Sequence, residues 1–530
     1  MNKVSMTDQG DEQDLQSDAI AFLADPATYG ESVDSVGRID THAAIVFLAG
    51  DDVYKIKRAV RFPFLDFTTL EKRRRACERE VEVNRLTAPN LYLGAVPITR
   101  SAEGKLAFTG RGPVVEWAVH MRRFDETATL DRLAGEGALS PGLLDALARR
   151  IVDLHDKAPA IDTDDPAGEI GSVALESCAE MEGAPDLFSP EKLADLTART
   201  KSALNRHGKL IAARGNAGGI RRCHGDLHLG NVALIDGEPV IFDAIEFDED
   251  LATIDVLYDL AFLIMDLWER GYRLEANRVL NRWLVARNNR DDLGGLALLP
   301  LFLSMRAAIR AKVAAARARH LDGGKREAAE NEARDMFAAA CAFLAPAPAR
   351  LVAIGGLSGT GKTTVAMALA PDIGPAPGAV VVRSDIVRKV LSGVAETKRL
   401  PDDAYTPQAS ERVYAEMEAE AAQVLAAGHG AVLDAVHSKP QKRDAARAVA
   451  EGAGVAFTGI WLQTSPDHLM ERVEARTGDA SDATAEVVRK QLAYQTGDID
   501  WTVVDTGGSR EDAVRRARAA LPPPGDAKTK

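Results

Sequence analysis

The stretch that decides the fold of the C-terminal half is Arg350-Leu-Val-Ala-Ile354 with the loop that follows it, Gly356-Leu357-Ser358-Gly359-Thr360-Gly361-Lys362-Thr363. The loop fits the pattern Gly-x-x-x-x-Gly-Lys-[Ser/Thr], and it stands between an apolar strand and a helical segment, as this pattern requires. Its glycines let backbone N–H groups converge on phosphates, and the start of the helix adds positive potential. A chance glycine-rich turn would not need this context. The stretch therefore predicts a nucleotide-binding loop.

The pattern also assigns roles within the loop. Lys362 reaches the β- and γ-phosphate oxygens and takes part in catalysis, and Thr363 can ligand Mg²⁺. The residues predicted to contact the nucleotide are Gly356, Leu357, Ser358, Gly359, Thr360, Gly361, Lys362, Thr363 and Thr364.

Strand-like and helical segments alternate around this loop. The strands are expected at 350–354, 379–383, 430–434 and 456–462. The helices are expected at 362–370, 385–392, 409–427, 440–452 and 466–476. Such alternation predicts an α/β fold with a parallel sheet covered by helices.

Polar residues at the strand ends of this half are candidates for the chemistry. Asp385 and Arg388 share one helix face, where the carboxylate can activate an acceptor hydroxyl and the arginine can hold it. Asp434 ends an apolar strand and could hold the water shell of Mg²⁺. Arg472 and Arg476 suit a lid over the transferring phosphate. The alternatives are a helix N-cap for Asp385, a solvated side chain for Arg388, a turn former for Asp434 and an exposed pair for the two lid arginines.

A second motif lies in the N-terminal half. His-x-Asp-x-x-x-x-Asn occurs within Cys223-His224-Gly225-Asp226-Leu227-His228-Leu229-Gly230-Asn231, and Asp243 ends the apolar strand that follows. In the kinase template an Asp positions the acceptor hydroxyl, an Asn ligands Mg²⁺, and a separate strand-borne Asp is the second Mg²⁺ ligand. Zinc binding by the two histidines is the alternative, but their i, i+4 spacing would need a helix, and the neighbouring glycines favour a loop.

The other parts of that template should lie upstream, on a hairpin and a charged helix. The hairpin is predicted from strands at 42–48 and 53–57, and the helix at 70–86. Lys55 and Lys57 point to one face of their strand, so its period leaves both open as the nucleotide-binding lysine, and Lys55 is preferred. Glu80 is its candidate partner, with a solvated helix face as the alternative.

The C-terminal motifs resemble those of small P-loop kinases of the gluconate kinase, chloramphenicol phosphotransferase and polynucleotide 5′-kinase type. The resemblance covers about 350–521. It implies that Asp385 activates the acceptor hydroxyl, that Arg388 holds it, and that Arg476 is a lid arginine.

The N-terminal motifs resemble the aminoglycoside phosphotransferase family over about 20–343, which implies an α+β, protein-kinase-like fold. The resemblance implies that Asp226 is the catalytic base, Asn231 and Asp243 are Mg²⁺ ligands, and Asp259 is a structural carboxylate. The joined chain resembles the bacterial fusions labelled bifunctional aminoglycoside phosphotransferase/ATP-binding protein. It departs from the kinase pattern in two ways: no Gly-x-Gly-x-x-Gly lies in 31–52, and Ala244-Ile245 replaces the Phe-Gly that follows the metal-binding Asp.

The junction of the two halves is predicted at the extended segment Ala345-Pro-Ala-Pro-Ala349. The complete predicted order is a flexible N-terminus (1–19), a kinase-like domain (20–344), a linker (345–349), a P-loop kinase domain (350–521) and a disordered tail (522–530).

Composition restricts the partners and the compartment. With 79 acidic and 65 basic side chains in 530 residues, the net charge is −14, which disfavours nucleic acid as a partner. The four cysteines contain no Cys-x-x-Cys pair, so neither a disulfide scaffold nor a structural zinc site is expected. The polar N-terminus lacks the apolar stretch of a secretory signal, and no apolar stretch reaches the length of a membrane span. The sequence therefore predicts a cytoplasmic protein without membrane contact.

Together these patterns predict a phosphotransferase that uses ATP and Mg²⁺. Each half would bind a nucleotide, and a small-molecule hydroxyl of a sugar, polyol or aminoglycoside-like compound would be the acceptor. One alternative is a nucleotide-dependent switch with a ligand-sensing pseudokinase in the N-terminal half. A polynucleotide 5′-kinase is a further alternative, which the acidic charge disfavours.

Overall fold

The computed structural model describes residues 16–41, 43–62, 65–475 and 480–522. In it the chain forms two compact units. Unit 1 comprises Met1–Asp162 and Gly218–Leu263, and unit 2 comprises Thr163–Ala217 and Ile264–Lys530. The predicted junction at 345–349 lies within unit 2, so the helices before it pack in the same unit as the sheet after it.

Unit 1 is built on a six-stranded antiparallel sheet with the strand order β1-β2-β3-β8-β6-β7. Its strands are β1 Val36–Asp40, β2 Ala44–Ala49, β3 Asp52–Lys57, β6 Tyr92–Arg100, β7 Leu106–Phe108 and β8 Val114–Arg122. The predicted hairpin is confirmed as β2 and β3, which pair from Ala44 opposite Lys57 to Ala49 opposite Asp52. The predicted charged helix is confirmed as α2, Leu70–Asn84, whose face with Cys77 and Val81 is buried against this sheet.

Helix α1 covers residues 16–24 and thus includes 16–19, which the sequence places in a flexible N-terminus. These residues are helical because Ala19 and Leu23 are buried in the core beside Phe47. In addition, the Gln16 side chain donates hydrogen bonds to the Lys57 carbonyl and to Glu116. Residues 1–15 lie outside the described residues.

The rest of unit 1 consists of helices and short strands. The predicted catalytic loop with Asp226 and Asn231, and the segment with Asp243, lie between these strands. Its elements are β4 Arg61–Phe62, β5 Leu65–Asp66, α3 Leu130–Gly135, α4 Pro141–Lys157, β9 Ile220–Arg222, β10 Val232–Ile235, β11 Glu238–Ile241, α7 Glu249–Ala252, β12 Thr253–Asp255 and α8 Val256–Glu269, which leads into unit 2. Strands β10 and β11 form one antiparallel pair, and β9 and β12 form another.

Unit 2 contains several helices that precede the parallel sheet in the chain. These are α5 Pro166–Met181, α6 Pro190–Asn216, α9 Arg273–Arg287, α10 Arg290–Gly295, α11 Leu299–Ala318 and α12 Gly323–Phe343. Contrary to the expectation from the sequence, the stretch Arg290–Ala318 is long and apolar enough to cross a membrane, but 78% of its most apolar window is buried inside the structure. Such burial is typical of a core helix.

The same unit contains a five-stranded parallel sheet with the order β14-β15-β13-β16-β17. Its strands are β13 Arg350–Gly355, β14 Val380–Arg383, β15 Ala431–Asp434, β16 Ala456–Gln463 and β17 Thr502–Asp505. Its helices are α13 Lys362–Leu369, α14 Ser384–Leu391, α15 Pro407–Ala426, α16 Pro440–Ala453, α17 Pro466–Glu474, α18 Ala485–Leu492 and α19 Arg510–Ala519. The predicted α/β fold is confirmed, while the short edge strand β17 was not predicted.

Helix α9 covers the outer edge of β14, the other edge strand. Asn277 and Asn281 both donate side-chain hydrogen bonds to the Ala379 carbonyl, and the Val381 N–H donates to Asn281. An edge strand exposes unpaired backbone groups, so these two asparagines satisfy groups that β15 cannot reach.

Candidate active sites

The predicted catalytic loop of unit 1 joins β9 to β10, and its conformation is fixed by hydrogen bonds. Asn231 donates from Nδ2 to the carbonyl of Asp226 at 2.9 Å and to its carboxylate at 3.1 Å. Gly225 has a φ of +83°, which only glycine adopts readily. Asp259 accepts hydrogen bonds from the backbone N–H groups of His224 and Gly225, at 3.2 and 2.9 Å. This contact fits the structural role that the resemblance implies for Asp259. The Asp226 side chain is 41% exposed.

The loop geometry does not support a zinc site formed by His224 and His228. The His224 ring contacts the Phe242 carbonyl, and the His228 ring accepts a hydrogen bond from the Gly230 N–H. Within the described residues, neither histidine belongs to a group of three possible metal ligands.

Lys55 is the centre of a charge cluster next to this loop, between the buried Glu80 and the half-exposed Asp243. Lys55 Nζ lies 2.9 Å from Glu80 Oε1 and 2.7 Å from Asp243 Oδ1. Glu80 is fully buried, which excludes the solvated-face alternative. Burial alone would lower the pKa of Lys55, but Asp243 and Glu80 hold it well above its usual value, so the ammonium group stays charged.

Lys57 occupies a second position in the same cluster. Its ammonium group contacts Glu80 at 2.5 Å and also contacts Glu246. Lys57 is 3% exposed and has Glu80 and Glu246 as its partners, whereas Lys55 contacts the Asp243 carboxylate directly. The two lysines thus have different partners: Lys57 is enclosed by two carboxylates, and Lys55 lies beside the predicted metal ligand, so its assignment to the nucleotide stays a prediction.

Asn231 and Asp243 lie on adjacent backbone segments, as a shared metal site requires. The Phe242 N–H donates to the Asn231 carbonyl at 3.0 Å, and Asp243 follows directly in the chain. The Asp243 side chain is 42% exposed. Burial raises its pKa, but the charge and hydrogen bond of Lys55 outweigh this, and the pKa lies below its usual value. An ionised carboxylate and an amide oxygen suit Mg²⁺.

The phosphate loop of unit 2 has the conformation that its glycines allow. Gly356, Gly359 and Gly361 have φ values of +138°, +89° and +88°. A Cβ atom on Gly359 would lie 2.6 Å from the Leu469 carbonyl oxygen of α17. Helix α13 begins at Lys362, so the loop N–H groups lie at a helix N-terminus, where phosphate binds favourably.

Thr363 and Asp434 meet beside this loop. Thr363 Oγ1 donates a 2.6 Å hydrogen bond to Asp434 Oδ2, because β15 pairs with β13 and brings its last residue opposite Ile354. Burial raises the pKa of Asp434, although Arg383, Lys362 and the Thr363 hydrogen bond act in the opposite direction. The hydroxyl and carboxylate oxygens suit Mg²⁺, and the turn-former alternative loses support because the side chain is 4% exposed.

Asp385 and Arg388 lie on α14 at the end of the neighbouring strand. The N-cap of α14 is Arg383, so Asp385 is not the cap. Arg388 donates to the Ala404 carbonyl at 2.5 Å and lies over the Tyr405 ring at 4.9 Å, so it is not simply solvated. Asp385 and Arg388 thus lie on the same helix, and their parts in catalysis stay predictions.

The predicted lid residues have two different outcomes. Arg472 donates to the Thr506 carbonyl at 2.7 Å and is thus bound to the segment after β17. Arg476 lies outside the described residues. Helix α18 contacts the phosphate loop through Gln491, which accepts a 2.7 Å hydrogen bond from the Ser358 N–H.

Sequence reasoning missed Glu246, Arg383 and Gln491. Glu246 follows Asp243 by three residues and Arg383 directly precedes Ser384-Asp385, so their positions beside predicted residues were the available signal. Gln491 had no local signal, because its partner lies 133 positions away.

Two family models match the chain. Residues 49–298 match the phosphotransferase enzyme family, and residues 351–497 match an AAA domain. Over 489 residues the chain is 33% identical to an uncharacterized protein from Mycobacterium tuberculosis, in a match that covers 90% of this chain and 94% of that protein. A relative from Mycobacterium bovis gives the same values.

Solved structures also resemble parts of the chain. A gluconokinase from Sinorhizobium meliloti is 26% identical over 33% of this chain and 91% of its own, with a TM-score of 0.23. An aminoglycoside 2′-phosphotransferase-IIIa in complex with GDP is 16% identical over 60% of this chain and 98% of its own, with a TM-score of 0.38. The family models match the two halves in the order that the motifs predict.

Proposed function

Because the chain belongs to the same family as its mycobacterial relatives and joins a phosphotransferase enzyme family domain to a C-terminal P-loop kinase-like domain, we propose that it is a kinase with two nucleotide sites. Each site would bind ATP with Mg²⁺, and at least one would transfer the γ-phosphoryl group to a hydroxyl of a small molecule. A sugar, a polyol or an aminoglycoside-like compound fits this description. We place the reaction in the cytoplasm.

The observation that carries this proposal is the contact of Lys55 with both Glu80 and Asp243, next to the exposed carboxylate of Asp226. This is the set of side chains that the kinase template requires for the phosphates, the metal and the acceptor. A purely structural cluster would have no need for the loop that presents Asp226.

In unit 1 we assign the steps by chemistry. Lys55 orients the α- and β-phosphates. Asp226 accepts the proton of the acceptor hydroxyl while the hydroxyl oxygen forms a bond to the γ-phosphorus and the bond between the γ-phosphorus and the ADP oxygen breaks. Asn231 and Asp243 would hold Mg²⁺, which neutralises phosphate charge when bound.

In unit 2 the phosphate loop and Lys362 bind the phosphates, and Asp385 takes the proton of the acceptor. Arg388 positions the acceptor from the same helix face. Thr363 and Asp434 would hold Mg²⁺, which would neutralise phosphate charge.

An acceptor screen with γ-labelled ATP tests the function. The full-length wild type, Asp226→Ala, Lys362→Ala and the double variant are incubated with a metabolite extract and with a 5′-hydroxyl oligonucleotide. We expect labelled small molecules, with each single variant losing its own products and the double variant losing all. Unchanged labelling by the double variant would refute the proposal, and labelling of the oligonucleotide alone would make the chain a polynucleotide kinase.

One observation favours a second candidate, in which unit 1 senses a ligand without transferring phosphate. Strand β1 ends at Asp40 and β2 begins at Ala44, and the sequence between them contains no glycine, so it lacks the glycine-rich pattern that covers the phosphates in a kinase. Calorimetric titration of the full-length Lys362→Ala variant with ATP separates the two functions. Mg²⁺-dependent micromolar binding would support a unit 1 kinase, and absence of binding would support the sensor.

A further inference from the structure

A row of charged side chains connects helix α9 to the phosphate loop within unit 2. Arg282 donates two hydrogen bonds to Glu396, at 3.0 and 2.7 Å. Glu396 lies 3.9 Å from Arg383, and Arg383 lies 3.6 Å from Asp434. Asp434 in turn accepts the hydrogen bond of Thr363. We call these five side chains the α9 relay.

In the relay, positive and negative side chains alternate, and all of them are largely shielded from solvent. The exposed fractions of its four charged side chains lie between 4% and 26%. Removing one member of a buried ion pair leaves the other charge uncompensated, so each member stabilises the position of its neighbours. The Arg383 guanidinium lies between two carboxylates at ion-pair distances of 3.9 and 3.6 Å, so both carboxylates attract it.

Helix α9 is itself fixed to the strand that ends in Arg383. Asn281 contacts the backbone of Val381, two residues before Arg383 in β14. Helix α9 therefore holds the strand through Asn281 and the arginine side chain through Arg282 and Glu396. The position of Arg383 is determined by elements that precede the linker as well as by the parallel sheet.

We propose that Arg383 is a positioning residue of the P-loop site, which helix α9 holds against Asp434 through Glu396 so that Asp434 stays in place beside Thr363. The proposal rests on the proposed function, since it assigns Asp434 and Thr363 to Mg²⁺. Its consequence is that a helix from the first part of the chain supports the metal-binding end of the C-terminal site. Residues that orient metal ligands in this way influence metal affinity strongly.

The test measures binding of a fluorescent N-methylanthraniloyl-ATP to the full-length chain, in excess Mg²⁺ and in EDTA. All variants carry Lys55→Ala, which the proposed function expects to silence unit 1. The quantity compared between variants is the Mg²⁺ gain, which is the ratio of the affinity in excess Mg²⁺ to the affinity in EDTA. We expect Glu396→Gln and Arg282→Met to lower this gain by about tenfold, with affinity in EDTA unchanged.

Glu416→Gln is the matched control. Glu416 also pairs with an arginine from the preceding helices, Arg290 of α10, but it has no contact with Asp434. We expect it to keep the full gain. An equal loss in Glu416→Gln and Glu396→Gln, or an equal loss of affinity in EDTA, would overturn the proposal.

Arg383→Lys provides a second route if Glu396→Gln fails to fold. A lysine keeps the charge but lacks the planar group that reaches both Glu396 and Asp434, so we expect the same loss of gain. Full retention of the gain in Arg383→Lys overturns the proposal. If the parent chain shows no gain from Mg²⁺, the proposed function of the P-loop half is wrong, and this proposal with it.

Discussion

The side chain of Asn281 accepts a hydrogen bond from the backbone N–H of Val381 at 2.7 Å, across 100 positions of sequence. The contact satisfies a group on the outer edge of β14 that no strand pairs. An exposed edge is open to pairing with other chains, and covering it with a helix is one way in which proteins avoid this. Helix α9 is therefore part of the parallel sheet's structure, although it precedes the predicted linker.

This contact predicts that Asn281→Ala destabilises unit 2. The substitution leaves the Val381 N–H and the Ala379 carbonyl without the Asn281 side chain, which costs about 1–3 kcal/mol for a buried group. Urea unfolding followed by a probe in unit 2 measures the loss. Asn331→Ala, at an exposed contact on α12, is the control and should change little. Equal midpoints for both variants would show that the edge contact is dispensable.

Gly359 gives a second prediction. Its φ is +89°, and the cost of placing alanine in that conformation can be measured separately from the cost of its close approach to α17. In Gly359→Ala the new Cβ would meet the Leu469 oxygen at 2.6 Å, so the phosphate loop or α17 must shift. We expect a loss of stability above the roughly 1–2 kcal/mol of left-handed backbone alone, together with loss of ATP binding. Gly454→Ala, at φ +66° with open space, should show only the backbone cost. Thermal melts and ATP titration compare the two, and identical melting points would contradict the clash.

The sequence predicted both motif loops because each is local. The strand, loop and helix around Lys362 lie within one short stretch, and so do Asp226 and Asn231. Glu246 and Arg383 could not be assigned because their partners are distant, and Lys57 and Glu246 are separated by 189 positions. Strand period placed Lys55 and Lys57 on one face but could not choose between them. Only the fold shows that Asp243 lies next to Lys55.

The two lysines of β3 should therefore differ in what their loss affects. Lys57 is enclosed by Glu80 and Glu246, so Lys57→Met leaves buried carboxylates undercompensated and should cost about 3–5 kcal/mol of stability. Lys55→Met removes the partner of the half-exposed Asp243, and should abolish unit 1 phosphate transfer with a smaller loss of stability. Melting curves and unit 1 turnover in a Lys362→Ala background measure both. A larger stability loss in Lys55→Met than in Lys57→Met would reverse the assignment.

Glu420 on α15 gives a prediction about pH. Burial and the negative charge of Glu416 raise its pKa to about 7, against the opposing effect of Arg290. The folded chain thus keeps a proton that the unfolded chain, with an ordinary carboxyl, releases above about pH 4.3. Stability due to this group falls as pH rises from that value to about 7 and is then constant.

Glu420→Gln should remove this loss, because glutamine stays neutral. We expect the variant to match the wild type near pH 4.5 and to be more stable by about 1–2 kcal/mol at pH 8, a figure reduced for partial exposure of the side chain. Glu411→Gln on the same helix is the control of opposite sign, since its hydrogen bond with Lys442 lowers the pKa of Glu411. That variant should be less stable than the wild type at pH 8 and, to a smaller extent, at pH 4.5, because the lowered pKa keeps the Glu411 carboxylate largely ionised there. Thermal melts of the three proteins at both pH values decide the matter, and a Glu420→Gln effect that is equal at pH 4.5 and pH 8 would show that its cause is packing and not ionisation.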